Sequence, residues 1–354
     1  MEEFIKPLPP ALPRREGAGR QQISIKINNS HPIAESAPSL RGEGGGRGQF
    51  IIMQIIDAHS HLWLNQNTVV DGQPIRSLES NPSRSEFFGE ERQMLPPFMI
   101  DGRNTAEVFL SNMDYAQVGA AVVVQEIIDG NQNDYLAIVQ NKYPDRFFCM
   151  GMLTDLSAKE DLVQQVNALS KTFRGIAIPG HRVKGSLIER MPLFKAMEEQ
   201  KMILSMCLAD DEKQIAEMAE VIKECPNLKV AIGHFGMVTT PSFHSQVKLA
   251  NCGKNVMVES GGITWLYNEE FYPFPSAVKS IREAADLVGM DKLMWGSDYP
   301  RTITAITYRM SYDFILKSNE MTEEEKAAFL GGNAKTFYGF GKLPELPYIK
   351  NMSE

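Results

Sequence analysis

Two stretches of sequence decide the fold, IDAHSHLW at residues 56–63 and MWGSDYP at residues 294–300. The first carries His59 and His61 at the end of an apolar run, and the second carries Asp298 at the end of another. In a closed barrel of eight parallel strands the first and last strands are neighbours. We therefore expect these distant motifs to meet at the carboxyl ends of the strands. Two imidazoles and a carboxylate there would polarise a carbonyl or phosphoryl group and activate water.

Around these motifs the chain alternates between apolar runs and amphipathic segments. Each run is about five to seven residues long and apolar almost throughout, which is typical of strands buried on both faces of a parallel sheet. The predicted strands occupy residues 54–58, 120–125, 147–153, 173–178, 202–208, 229–233, 256–260 and 292–296. Eight such strands alternating with helices predict the α/β class, as a single-domain (β/α)8 TIM barrel. A doubly wound open sheet is the alternative, but no GxGxxG follows the first strand.

Four further segments complete the predicted barrel. Helical spacing relates Ala106, Val108, Phe109, Met113 and Ala116 to one another, and likewise Ile215, Met218, Ala219 and Ile222. A last helix is predicted over residues 322–338, with Thr322 and Glu325 forming a capping box. Residues 64–103 are too long for a simple connection after strand one, so we interpret them as a long active-site loop or lid.

The boundaries of the folded part follow from composition. Residues 1–52 hold 6 of the 20 prolines and 7 of the 27 glycines without a sustained hydrophobic period. Such a segment cannot bury enough apolar surface to order itself, and we interpret it as a disordered extension. The barrel is predicted over residues 53–345 and a tail over residues 346–354. Because Met53 directly precedes the first strand, we expect the native protein to start there, and a genuine disordered tail is the alternative.

Charge and cysteine content exclude several classes of protein. The net charge of −8 argues against nucleic acid as the main partner. The four cysteines have no CxxC spacing, so neither a zinc knuckle nor a disulfide framework is predicted. No apolar stretch is long enough for a membrane helix or a signal peptide, which makes the cytoplasm the expected location. A small-molecule substrate is the expected partner, and a homo-oligomer stays open.

Polar residues cluster where the predicted strands end. Active sites of (β/α)8 barrels lie at this pole. Four of the six histidines fall at such ends, which favours a functional cluster over isolated structural histidines. The strand-end residues are His59, His61, Glu126, His181, Arg182, His234, Glu259, Asp298 and Arg301.

This ordered set resembles the amidohydrolase superfamily, in its "amidohydrolase 2" type. The likeness rests on HxH after strand one, a histidine after strand six and an aspartate after strand eight. It looks closest to the branch of sugar-lactone and pyrone-dicarboxylate lactone hydrolases, and it runs from about residue 53 to 340. Further points of likeness are NDYL at 133–136, FRGI at 173–176, GHFG at 233–236 and GGNAKTFYG at 331–339.

The resemblance implies roles for the clustered residues. Asp298 would be the general base, with His234 as a second catalytic residue. His59, His61 and His234 would bind a divalent metal or polarise the carbonyl directly. If a metal is bound, His59, His61 and Asp298 would be its ligands, and the metal would be Zn or Mn.

The sequence departs from the metal-rich members of that superfamily. No histidine follows strand five, where Cys207 stands, and strand four carries no lysine. A carbamylated lysine and a two-metal centre are therefore not expected. A single metal and a metal-free site are both left open. Cys207 could serve as a thiolate ligand, although a buried structural thiol is the simpler interpretation.

Several residues near the motifs are candidates for binding substrate. A guanidinium fork binds carboxylates bidentately, which favours Arg182 and Arg301. The remaining candidates are His181, Tyr299 and Trp63, the last as a surface for stacking a sugar ring. The alternative for each residue is a structural role.

The preferred function is therefore a lactonase that cleaves a sugar-derived or dicarboxylate lactone. This interpretation leaves open whether the substrate carries a carboxylate. A metal-dependent decarboxylase of a hydroxylated aromatic or related carboxylate is the alternative enzyme. A third alternative is a binding module whose catalytic site has decayed.

Overall fold

The computed structural model of the chain describes residues 53–154 and 161–352. The predicted extension over residues 1–52 and the last two residues of the predicted tail lie outside this part; residues 346–352 contain no helix or strand. The strands in the described part are β1 (Ile55–Ser60), β2 (Asn67–Val70), β3 (Gln73–Leu78), β4 (Asn81–Phe87), β5 (Glu90–Gln93), β6 (Val118–Val123), β7 (Phe147–Cys149), β8 (Gly175–Ile178), β9 (Ile203–Met206), β10 (Lys229–Ile232), β11 (Val256–Glu259) and β12 (Leu293–Met294).

Eight of these strands are parallel and correspond to the eight predicted runs. β1, β6 and β7 form one sheet in the order β1-β6-β7, and β8 to β12 form a second in consecutive order. Isolated parallel bridges join the two sheets on both sides, pairing Gly151 with Ile176 and Ser60 with Tyr299. The parallel strands therefore follow one another around a ring, and the predicted α/β class with a (β/α)8 arrangement is confirmed.

Helices alternate with these strands. They are α1 (Ala106–Tyr115), α2 (Asn133–Lys142), α3 (Leu162–Leu169), α4 (Met191–Glu199), α5 (Glu212–Glu224), α6 (Phe243–Val247), α7 (Ile263–Leu266), α8 (Pro275–Val288), α9 (Met310–Lys317), α10 (Glu323–Ala327) and α11 (Asn333–Tyr338). The two predicted amphipathic helices are α1 and α5, and both turn apolar faces to the strands. Val108, predicted on the inner face of α1, is 38% exposed. None of the described helices is long and apolar enough to cross a membrane.

The last predicted helix is interrupted. Its capping box is present, since Thr322 accepts a hydrogen bond from the amide of Glu325 and the Glu325 carboxylate accepts one from Thr322. A π-helical turn then separates α10 from α11, and within it Gly331 lies directly against the carbonyl oxygen of Gln54 at the start of β1. Lys335 in α11 donates to the side-chain oxygen of Gln54 at 2.7 Å. The π-helical turn therefore lies where the helix backbone contacts the start of the first strand.

Replacing Gly331 with alanine is expected to destabilise the barrel, because a methyl group there has no space beside the Gln54 carbonyl. The predicted loss in free energy of unfolding is about 1–3 kcal/mol, the usual range for overpacking. Urea denaturation followed by circular dichroism measures it. Gly341→Ala is the matched control, because nothing lies within 4 Å of a methyl group at that position. Equal stability of the two variants would contradict the tight contact.

Residues 64–103 are not the long loop that we predict from the sequence. They contain the antiparallel sheet β2-β3-β4-β5. The turn between β2 and β3 is Asp71–Gly72, with φ of 50° and 77°. Such positive angles suit Asp-Gly and match the twist of a hairpin, so the dipeptide is the local signal for this sheet. The sheet is anchored to the barrel by an antiparallel bridge between Trp63 and Asn104.

Candidate active site

Three side chains meet where the first and last parallel strands adjoin. The amide of Asp298 donates to the carbonyl of His59 at 2.8 Å, which holds the two loops together. Oδ1 of Asp298 lies 3.0 Å from Nε2 of His61 and 3.8 Å from Nε2 of His59. The two Nε2 atoms are 3.2 Å apart. All three side chains are buried, so the sequence prediction that these motifs meet is realised.

These three atoms have the spacing of ligands around one cation. A tetrahedral zinc ion with bonds of about 2.0–2.1 Å has its ligand atoms roughly 3.3 Å apart. The observed separations of 3.0, 3.2 and 3.8 Å bracket that value. Two imidazoles and one carboxylate are also a common donor set for zinc. His59, His61 and Asp298 therefore fit a single divalent cation.

A buried carboxylate, Glu259 at the end of β11, orients the histidines. Its Oε1 lies 2.7 Å from Nδ1 of His59 and accepts a hydrogen bond from the amide of His234 at 3.2 Å, while Oε2 accepts one from Gly261. Burial lowers the pKa of His59, but the charge and hydrogen bond of Glu259, together with the charges of Asp298 and Asp57, outweigh burial and raise that pKa to about 8. Conversely, burial raises the pKa of Glu259, but His59 holds it below its usual range. Glu259 thus directs Nε2 of His59 toward Asp298.

His234 presents an acceptor nitrogen to the same space. Its Nδ1 lies 2.6 Å from the carbonyl oxygen of Gly261, which can only accept, so Nδ1 carries the proton. Burial and the neighbouring charge of His59 lower the pKa of His234. The two rings are 4.4 Å apart at their centroids. Neutral His234 can therefore accept a proton or bind a cation at Nε2. It cannot donate a hydrogen bond to a carbonyl oxygen from Nε2, so it does not suit the direct polarisation of a carbonyl that the family resemblance implies.

Asp298 is held from three sides. Trp265 donates to its Oδ2 at 2.8 Å, and Arg301 donates to its Oδ1 at 3.3 Å. Burial raises the pKa of Asp298, but Arg301 and the hydrogen bond from His61 outweigh it and hold the pKa well below its ordinary value. Arg301 also donates to Asp129 at 2.7 Å. Asp298 is therefore an ionised carboxylate with a fixed orientation.

A cavity of about 300 Å³ opens above this cluster. Apolar side chains form much of its wall, namely Val124, Ile128, Ala177, Ile178, Leu208, Ala209 and Met237. Of the predicted substrate-binding residues, His181, Arg182 and Arg301 line it. Nδ1 of His181 lies 3.4 Å from the carbonyl oxygen of Cys207. Arg182 donates through Nε to Glu126 at 2.8 Å.

Two predicted substrate-binding residues lie outside the cavity wall. Trp63 is fully buried, and its indole N–H donates to the carbonyl of Gly102 at 3.1 Å. Tyr299 is also fully buried, with its ring stacked on Phe109 at a centroid distance of 3.9 Å. Both predictions fail for the same physical reason, because large aromatic side chains next to a motif are also the best residues for filling the core behind it.

Cys207 does line the cavity. Its sulfur lies within 4.8 Å of donor nitrogens of His59 and His234, so these three residues form a second group of suitable ligand types. Burial raises the pKa of the Cys207 thiol well above its ordinary value, and Glu259 adds to this shift. The thiol is therefore protonated at neutral pH. Cys207 is partly exposed at the cavity wall, whereas the simpler interpretation from the sequence is a buried thiol.

Sequence reasoning missed two residues of the site. Asp129 lies in a short 3₁₀ turn after β6, with Oδ2 2.8 Å from Nδ1 of His61. Its position in a loop after a strand is a signal that the strand-end rule could have captured. Trp265 comes from α7, after the turn that follows β11. No sequence signal marks Trp265, because its approach to Asp298 depends on the path of that turn.

The chain is similar to known proteins in its sequence family and in its fold. The sequence model described as "Amidohydrolase" matches residues 56–340. No curated protein gives a significant match.

Solved structures resemble the chain at low identity. A probable 2-pyrone-4,6-dicarboxylic acid hydrolase from Acinetobacter baumannii, with citric acid bound, is 19% identical with a TM-score of 0.57; the match covers 81% of this chain and 100% of that one. An amidohydrolase from Burkholderia multivorans with bound zinc is 16% identical, with a TM-score of 0.59 and coverage of 82% and 100%. The 5-carboxyvanillate decarboxylase from Sphingomonas paucimobilis is 15% identical, with a TM-score of 0.57 and coverage of 81% and 99%.

Proposed function

The chain belongs to the amidohydrolase family, and from this membership we propose that it opens a lactone ring by attack of water on the ring carbonyl. The observation that supports this most is the convergence of His59, His61 and Asp298 within 3.8 Å of one another. They lie at the base of a cavity large enough for a small ring compound. An activated water and a polarised carbonyl are the two requirements of ester hydrolysis.

Asp298 is the proposed general base. Its carboxylate takes a proton from the attacking water, whose oxygen bonds to the carbonyl carbon. The bond from that carbon to the ring oxygen then breaks, and the proton passes to the departing ring oxygen. The product is the open hydroxy acid. Trp265 keeps Oδ2 of Asp298 occupied, so Oδ1 is the oxygen that faces the histidines.

Four further residues have proposed roles in this reaction. His234 accepts a hydrogen bond from the water at Nε2, since its Nδ1 proton is engaged by Gly261. Glu259 fixes the ring of His59 and holds the backbone amide of His234. His181 and Arg182 bind the part of the substrate that lies away from the carbonyl, in agreement with their position on the cavity wall.

His59, His61 and Asp298 would hold one divalent cation, zinc or manganese. When bound, the cation would supply Lewis acidity to the carbonyl and to water. Zinc is present in the Burkholderia multivorans amidohydrolase. A metal-free reaction is the alternative, in which His59 carries the positive charge because its pKa is about 8.

Decarboxylation of an aromatic carboxylate is the second candidate. It is favoured by the likeness in fold to the Sphingomonas paucimobilis decarboxylase. In that reaction the bond from the ring to the carboxylate breaks, carbon dioxide leaves, and a proton replaces it on the ring.

A substrate screen tests the proposal. Purified protein is incubated with a panel of aldonolactones, dicarboxylate lactones and hydroxylated aromatic carboxylates, each with and without a chelator. A pH indicator reports acid released by hydrolysis, and headspace analysis reports carbon dioxide. Acid release without carbon dioxide is the expected result. Release of carbon dioxide would instead establish decarboxylase activity. Absence of hydrolysis with every lactone would overturn the proposed lactonase activity.

The affinity for zinc is expected to rise with pH. Burial lowers the pKa of His59 but Glu259 raises it to about 8, so below pH 8 a proton occupies the nitrogen that a metal needs. Between pH 6.5 and 8 the affinity should increase roughly tenfold, and above pH 8 it should level off. Competition with a chromogenic chelator measures this. In Glu259→Gln the negative charge that raises the pKa of His59 is absent, so the increase in zinc affinity should occur at lower pH. A flat profile for the unmodified protein would contradict the prediction.

A further inference from the structure

One carboxylate on the cavity wall has an oxygen without a partner. Glu126 follows β6, and its Oε1 accepts the hydrogen bond from Nε of Arg182 at 2.8 Å. Its Oε2 is buried and makes no hydrogen bond. Among the described side chains that line the cavity, His61 also has a buried polar atom without a hydrogen bond, its Nδ1. That nitrogen lies 2.8 Å from Oδ2 of Asp129. A buried, unpaired, charged oxygen is costly unless a ligand supplies a donor.

The positive charges on the same wall are already neutralised. Arg301 contacts both Asp129 and Asp298, at 2.7 and 3.3 Å. Arg182 contacts Glu126 and stacks over the ring of Phe88 at 5.5 Å. A substrate carboxylate placed near either guanidinium would therefore approach a protein carboxylate as well. Like charges at such distances repel strongly in a site shielded from water.

We propose that Glu126, held by Arg182, is a hydroxyl-binding subsite that selects a neutral, hydroxylated lactone over a carboxylated one. The Glu126 carboxylate on the cavity wall accepts a hydrogen bond from a hydroxyl group of the substrate. This assignment rests on the proposed lactonase function and specifies its substrate class. It also revises the expectation that Arg182 and Arg301 bind a substrate carboxylate, because each already has a carboxylate partner.

Three lactones test the subsite in the full-length protein. They are galactonolactone, which carries several hydroxyls, valerolactone, which carries none, and 2-pyrone-4,6-dicarboxylate. We expect the unmodified enzyme to have its highest kcat/KM with galactonolactone. Glu126→Gln should lower kcat/KM for galactonolactone by about ten- to a hundredfold, as expected for loss of a hydrogen bond to a charged group. It should leave valerolactone within about twofold.

A second variant gives an effect in the opposite direction. Glu126→Ala removes the carboxylate beside Arg182 and leaves the guanidinium able to bind a substrate carboxylate. We expect kcat/KM for the dicarboxylate to rise in this variant while that for galactonolactone falls. A merely structural role for Glu126 would lower activity on all three lactones alike. That result, or a preference of the unmodified enzyme for the dicarboxylate, would overturn the subsite.

Binding without turnover separates this inference from the lactonase proposal. Galactonolactone binding to the unmodified protein and to Glu126→Gln is measured by calorimetry. If no lactone is hydrolysed but binding depends on Glu126, the lactonase proposal fails and the subsite stands. If lactones are hydrolysed and binding is the same in both proteins, the subsite fails and the lactonase stands.

Discussion

Replacing Asp298 with asparagine is expected to lower kcat on the active substrate by about 10²- to 10⁴-fold, the range for loss of a general base. The amide has the shape of the carboxylate and can still accept from Trp265, so the barrel stays folded. It cannot take a proton from water, and it places a neutral group where His61 and Arg301 now face an anion. Steady-state kinetics measure the loss, and circular dichroism checks the fold.

An exposed aspartate supplies the control for this exchange. Asp286 on α8 is 73% exposed at its side chain and pairs with Arg282 on the surface. Asp286→Asn should keep full activity, because exposed ion pairs contribute little. If Asp298→Asn were as active as Asp286→Asn, Asp298 would not be the base, and His234 would be the remaining candidate.

Removing Glu259 is expected to produce the largest loss of stability in the site. In Glu259→Ala the charged ring of His59 and the amides of His234 and Gly261 lose their shared acceptor in a buried place. Breaking a buried ion pair by deleting one partner costs about 3–5 kcal/mol, since the other charge is left without compensation. Urea denaturation of the metal-free protein at pH 7 measures the change in free energy of unfolding.

Two further substitutions serve as comparisons for this loss of stability. Glu259→Gln keeps the shape and one acceptor, so its loss should be smaller, about 1–3 kcal/mol. Glu220→Ala on α5, where the side chain is 48% exposed, should stay within about 0.5 kcal/mol of the unmodified protein. A stability of Glu259→Ala close to that of Glu220→Ala would mean that His59 is not charged at this pH.

The parallel strands could be predicted because they are buried on both faces. Continuous apolar runs such as residues 118–123 have few alternatives in a chain of this size. The antiparallel sheet was not predicted because its strands have no continuous apolar run, as residues 90–93 illustrate, where each residue is exposed. The break in the last helix depends on contact with Gln54, more than 250 residues away in sequence, and no local pattern reports it.

The site was predictable to the extent that strand ends determine it. His59, His61, His234 and Asp298 come together because parallel strands end at one pole. The partners of charged residues were not predictable in the same way. Arg301 binds Asp129 and Asp298 rather than standing open to a substrate, and this depends on the conformation of a loop after β6. Trp265, rather than Trp63, is the indole at the cavity, because a turn and not a strand delivers it.

The contact between Gln54 and Lys335 brings the first strand and the last helix together at the pole opposite the cavity. A six-residue strand such as β1 separates the two poles by about 20 Å. A short peptide joining residue 53 to the region after α11 would therefore close the polypeptide into a circle. New termini could then be opened at the Asp71–Gly72 turn, and attaching the described part of the chain to a support through residue 53 would leave the cavity facing solution.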